Sequence, residues 1–169
     1  EKDYSALVSK LKANQVDVLY VGGYHAEAGI MAKQMRAQAM NTVILSGDAL
    51  VTQEYWNITG DAGEGTLMTF GPDPMEKASA AAVVKKFKDA GLNPEGYVLY
   101  SYAALQVFEQ AATQAKSVKS KDLIKAMRST TFDTVIGKIK FDKKGDVVAS
   151  KEDPLYIFYK WSKGNYKPL

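Results

Sequence analysis

Cysteine is absent from this 169-residue sequence and histidine occurs once, at position 25. The first absence removes disulfides, thiolate nucleophiles and cysteine-held metals. It also fits an oxidising compartment, where stray thiols are a liability. The second leaves no Cys/His pair, and any Ser/His/Asp triad would have to run through His25. "HAE" at 25–27 matches half of a zinc deaminase signature whose required cysteines are missing. There is no Walker loop and no dinucleotide fingerprint, since Gly22, Gly23 and Gly29 have the wrong spacing. No apolar run approaches the roughly 18 residues of a membrane span. The opening "EKDYSALV" has neither an initiator Met nor a signal segment, and reads as mature, processed or cut from a longer chain. The expectation is no catalytic residues, no metal, no cofactor and no enzyme; an enzyme working through Asp48 or His25 would lack its acid/base partners.

What is there is ordinary for a globular protein: 46% hydrophobic and 24% charged residues, with a net charge of +3. The charge is unevenly spread. Residues 1–115 hold 9 basic and 13 acidic side chains, whereas residues 116–169 hold 13 basic and 6 acidic. A nucleic-acid reader needs clustered arginine with interleaved aromatics. The late charges are almost all lysine in hairpin-like sequence, which reads as a solvated face with no nucleic-acid partner.

From residue 3 to 70 helix and strand patterns alternate. Tyr4, Leu7, Val8 and Leu11 recur at helical spacing and Asn14 stops the helix. "VDVLYV" (16–21) has the composition of a strand covered on both faces. Ile30, Met31, Met35 and Gln38 mark a second helix, "TVIL" (42–45) a second strand, "TQEYWNI" a short helix capped by Thr52, and "GTLMTF" (65–70) a third strand. Strands joined by helices imply parallel pairing and an α/β sheet. "GPDP" (71–74) then reads as a linker. Helical segments follow at 75–90, 97–116 and 120–128, the last with Ser120 as cap. "TVIGKIKFD" and "PLYIFYKW" are strand-like, and "SKGN" is a turn. Three consecutive helices need a sheet to cover. Either the closing strands serve them or their sheet lies in chain absent here, and the second is expected.

Ligands of open parallel sheets bind beyond the carboxyl ends of the strands. "VGGY" follows the first strand and "SGDAL" follows the second, so Tyr24 and Asp48 could face one cleft, with glycines letting backbone approach a ligand. The alternatives on local sequence are a helix cap for Asp48, a rim aromatic over the helix start for Tyr24, and a partly exposed loop residue for His25. "GDAGEG" (60–65) precedes a strand and reads as a turn.

"DYSALVSKLKANQVDVLYVGGYHAEAGIMAKQMRAQAM", "SGDAL", "GDAGEGTLMT", "YVLYSYAAL" and "TVIGKIKFDKKGD", in that order, resemble the second half of the branched-chain amino-acid binding proteins. These are the leucine/isoleucine/valine-binding periplasmic receptors of ABC transporters, type I solute-binding proteins of Venus-flytrap fold. The resemblance implies a parallel-sheet lobe two at 1–71, a returning, mainly helical segment of lobe one at 72–152, and a final strand region at 153–169 that rejoins lobe two. It implies that an N-terminal half is missing, and that this half or another copy completes the fold. It places the family's ligand-binding tyrosine on Tyr24, its ammonium-pairing acid on Asp48 and its side-chain-contacting aromatic on Tyr97. The groups that hold the ligand carboxylate lie in the missing half. Several relatives carry Glu where this chain has Asp48, one methylene shorter, and a hydroxyl is gained at Tyr97, so the amino acid bound is left open.

The implied function is capture of a branched-chain or related amino acid between two lobes in the periplasm, for delivery to a membrane permease. A zwitterion leaving water needs both charges paired, and its contacts favour whichever state makes more of them. The alternative is a regulatory sensor of the same fold that binds amides or other small polar molecules.

Overall fold

The computed structural model describes residues 3–149 and 154–169. These divide into two compact units, Glu1–Pro72 with Pro154–Leu169, and Asp73–Asp153. The boundary expected at 152/153 lies outside the described residues.

The first unit contains α1 (Ser5–Ala13), β1 (Val18–Val21), α2 (His25–Ala37), β2 (Val43–Ser46), α3 (Gln53–Thr59), β3 (Leu67–Phe70), β6 (Ile157–Ser162) and β7 (Asn165–Pro168). The sheet order is β1-β2-β3-β6-β7. β1, β2 and β3 pair in parallel, with Val21 opposite Ser46, and β6 joins β3 antiparallel. The Asn14 and Thr52 signals operate: Asn14 donates to the Lys10 carbonyl at 2.7 Å, and the Thr52 hydroxyl accepts from Glu54 N–H at 3.3 Å.

Among the described residues the first strand is covered on one face only. Leu19 and Val21 turn inward, while Val18 and Tyr20 are 56% and 67% exposed. The same alternation runs across the sheet. Ile44, Ser46, Met68, Tyr159 and Trp161 are buried on one face, and Phe158 is half exposed on the other. The reason is topological. Right-handed crossovers between strands that advance in one direction, β1 to β2 to β3, place both connecting helices on one face. A four-residue apolar run cannot reveal which of its faces receives a helix.

Gly29 sets how closely α2 and α3 approach. A Cβ there would stand 2.6 Å from Ile58 Cγ2. Gly29→Ala is therefore expected to destabilise the protein by about 1–3 kcal/mol, the usual cost of forcing volume into a packed interior. Urea titration checks it, and an unchanged midpoint would show that the helices separate freely.

β6 and β7 form a hairpin whose turn residues Lys163 and Gly164 have left-handed φ of 51° and 82°, the geometry that matches strand twist. Glu64 ties this turn back to the sheet. Its carboxylate accepts from Lys163 N–H at 2.7 Å and from the Ser162 hydroxyl at 2.8 Å, and these bonds hold its pKa below the ordinary 4.5.

The second unit contains α4 (Ala81–Asp89), α5 (Val98–Ala115), α6 (Ser120–Ser129), β4 (Thr131–Thr134) and β5 (Gly137–Lys140). β4 and β5 form an antiparallel pair. Its core joins Val84, Leu99, Ala103, Val107 and Leu123 of the helices to Phe132, Val135 and Ile139. The expectation that all three helices await an absent sheet is thus corrected on one stripe: the late hairpin covers it. Gln110 of α5 completes the match, donating to the Asp133 carbonyl at 2.8 Å and accepting from Asp133 N–H at 3.3 Å. Another side of α5 stays open, with Leu105 71% and Phe108 46% exposed. Ser120 is not the cap of α6. Lys119 occupies the cap position and Ser120 is the first helical residue, while the Ser117 hydroxyl accepts from Lys119 N–H at 3.2 Å.

Candidate functional site

β1 and β2 end side by side, and beyond their carboxyl ends lies an open pocket of about 350 Å³. Tyr20, Val21, Gly22, Gly23 and Tyr24 line one side, and Ser46, Gly47, Asp48 and Ala49 the other. The Ser46 hydroxyl donates to the Val21 carbonyl at 2.7 Å and so clamps the two strand ends together. Tyr24 and Asp48 are therefore brought to one pocket within one unit.

Each is held by its local structure. Tyr24 takes the cap position of α2 with extended backbone (φ −92°, ψ 167°), and it is 73% exposed, so its ring is not packed over the helix start. Asp48 is half-buried and opens a single turn, Asp48–Leu50, whose cap position belongs to Gly47. That turn is anchored from the core, because Trp161 Nε1 donates to the Leu50 carbonyl at 2.9 Å. Gly22 and Gly23 do not have left-handed φ, and a Cβ at either would meet its nearest neighbour at 3.7 Å. The turn does not need glycine for its conformation; glycine leaves the backbone there uncovered.

His25 is the first residue of α2 rather than a loop residue. Its Nε2 lies 3.0 Å from Glu54 Oε2 and links the starts of α2 and α3. It does not line the pocket. Glu27, in the first turn of α2, has one carboxylate oxygen buried without a hydrogen-bond partner; the helix N-terminus offsets part of that cost. Tyr97 belongs to the second unit, at the cap position of α5. It is 55% exposed and meets Tyr100 edge-on at 6.2 Å. Tyr20 and Ser46 are pocket residues that sequence reasoning missed. The signal was available, since both occupy the last two positions of strands whose ends frame the site.

A carboxylate, a phenol and bare backbone can pair a cationic group and a neighbouring polar atom. Among the described residues no cluster of His, Cys, Asp and Glu could hold a metal ion. No helix of the described residues is long and apolar enough to cross a membrane.

The model of the periplasmic binding protein family matches residues 1–165. The chain belongs to that family. It is 48% identical over 165 residues to Leu/Ile/Val-binding protein homolog 1 of Brucella suis, covering 97% of this chain and 43% of that protein. To an amino acid binding protein of Pseudomonas aeruginosa it is 41% identical over 172 residues, covering 100% and 45%. The chain thus spans less than half the length of the curated relatives it matches. Among solved structures, the leucine binding protein LivK of Thermotoga maritima superposes with a TM-score of 0.85 at 25% identity, covering 100% of this chain and 48% of that one. LivJ of Streptococcus pneumoniae, solved with isoleucine, superposes with a TM-score of 0.81 at 19% identity, covering 100% and 49%. The fold is accordingly the type I periplasmic binding protein fold, of which this chain carries a part.

Proposed function

We propose that this chain is the second half of a periplasmic receptor that captures a branched-chain or related amino acid and delivers it to an ABC permease. The observation that carries the proposal is the meeting of Asp48 and Tyr24 in one pocket at the strand ends, in a chain whose relatives are named for binding leucine, isoleucine and valine. In this reading residues 1–71 and the last strands are lobe two, and the helical unit is the returning part of lobe one. Asp48 pairs the ligand ammonium, Tyr24 supplies a hydrogen bond and Tyr97 contacts the side chain. The ligand carboxylate is held by the half of the receptor outside this sequence.

Calorimetric titration of the complete protein with leucine, isoleucine and valine tests the function, and the absence of heat with all three overturns it. Tyr24→Phe is expected to cost about 0.5–1.5 kcal/mol of affinity, the worth of one neutral hydrogen bond. Tyr97→Ala is expected to reorder affinities among the three amino acids without abolishing them all, because an aromatic wall acts on shape and apolar area.

The same reading assigns an occupant to the exposed sheet face of Val18, Tyr20 and Phe158, namely the receptor's remaining half. The 169-residue chain alone is expected to self-associate in light scattering, since an unpaired strand edge and bare apolar face invite pairing. A monodisperse monomer at high concentration would count against that assignment.

A further inference from the structure

We infer that the outward face of α6 is a docking surface for an acidic protein segment. The inference concerns a different unit from the Asp48 pocket and does not depend on what that pocket binds. Lys121, Ile124, Lys125 and Arg128 stand at positions i, i+3, i+4 and i+7 and line one shallow groove. At about 100° per residue they fall within a single stripe of the helix. Leu123 and Ala126, on the opposite side, are 7% and 6% exposed and hold α6 to its core.

The stripe is cationic without internal compensation. Lys121 and Lys125 make no ion pair among the described residues. Asp122, the acid of this helix, is rotated away from the stripe, and its carboxylate accepts from the Ser117 hydroxyl at 2.7 Å. An acid from a neighbouring segment, Asp142 just beyond β5, has its carboxyl held below the usual range by the backbone N–H of Asp146 first and by the charge of Arg128 last. That carboxylate is already occupied by the backbone N–H groups of Lys144, Gly145 and Asp146.

Ile124 gives the stripe its second property. It is 47% exposed and flanked by cations, an apolar anchor inside a polar rim, which is the anatomy of a protein interface. The complement is an acidic segment whose carboxylates surround a central apolar side chain. A lipid surface fits less well, because one isoleucine offers too little apolar area to insert. A nucleic acid fits less well too, since the stripe holds one arginine and no aromatic.

The test uses the complete protein and a synthetic three-turn helical peptide with a central leucine ringed by three glutamates, titrated by fluorescence anisotropy at low salt. Binding is expected to weaken at least tenfold for Lys125→Glu with Arg128→Glu. It should fall similarly when salt rises to 1 M, where screening shrinks to about 3 Å. Ile124→Ser should weaken it several-fold. Lys121→Gln with Lys125→Gln, a milder change confirmed as folded by circular dichroism, should give an intermediate loss. Failure of the peptide to bind overturns the proposal, as does equal binding by parent and variants. Co-sedimentation with phosphatidylglycerol vesicles through these residues, with no peptide binding, overturns it in favour of a membrane.

Discussion

Replacing Asp48 by asparagine is expected to weaken amino-acid binding to the complete receptor by about 3–5 kcal/mol, the cost of breaking a buried charge pair from one side. The size follows from asymmetry. An ammonium group taken out of water and left unpaired keeps its whole desolvation penalty, and a neutral amide returns little of it. Asp48 is suited to the role because it is half-buried at the strand ends and sits on a turn anchored to the core. Leu50, two residues on, is fully buried and its carbonyl is bonded to Trp161. Titration calorimetry with the best of the branched-chain amino acids reads the effect directly. If Asp48→Asn binds as tightly as the parent, the ammonium site is elsewhere and the proposed pocket fails, even though the family assignment stands.

Trp161→Ala is expected to be the most damaging single change in the first unit, at about 3–5 kcal/mol of stability. Trp161 is fully buried. It stacks on Trp56 with ring centroids 5.6 Å apart, lies 5.9 Å from Tyr55 and meets Tyr166 edge-on at 5.0 Å. Truncation opens a cavity among three aromatic rings and orphans the Leu50 carbonyl at once. Trp161→Phe separates these effects. It keeps most of the volume but leaves the carbonyl unpaired, and should cost about 1–3 kcal/mol. Because that carbonyl belongs to the turn carrying Asp48, Trp161→Phe should also weaken ligand binding in the complete protein. Denaturation followed by far-ultraviolet circular dichroism measures the first effect and calorimetry the second. Full stability in Trp161→Ala would show that Tyr55, Trp56 and Tyr166 collapse into the gap.

The strand–helix alternation, the parallel pairing, the break at "GPDP" and the turn at "SKGN" were all legible along the chain. Each depends on neighbours within a few residues. Tyr24 and Asp48 were legible as candidates because they lie three residues beyond the end of β1 and two beyond the end of β2, where ligands of open parallel sheets bind. The cap of α6 was not, because the helix starts one residue earlier than the Ser120 signal suggests, with Lys119 at the cap position and the Ser117 hydroxyl accepting from Lys119 N–H. Nor was the sharing of a core between α5 and β4–β5, which puts Val107 and Phe132 in one buried cluster through packing rather than through pattern.

The sequence by itself determined the class of the protein: α/β order, no thiol chemistry, one histidine and a motif series shared with amino-acid receptors. Those properties reside in residue type and short-range periodicity. Only the tertiary structure decided that the helices of the first unit gather on one face of its sheet. It likewise decided that Trp161, 111 residues away from Leu50 in the chain, fixes the turn bearing Asp48, and that three cations gather around Ile124 on open helix surface. Crossover handedness, a long-range hydrogen bond and the choice of which helix stripe to bury are properties of the packed chain, and no local window of sequence contains them.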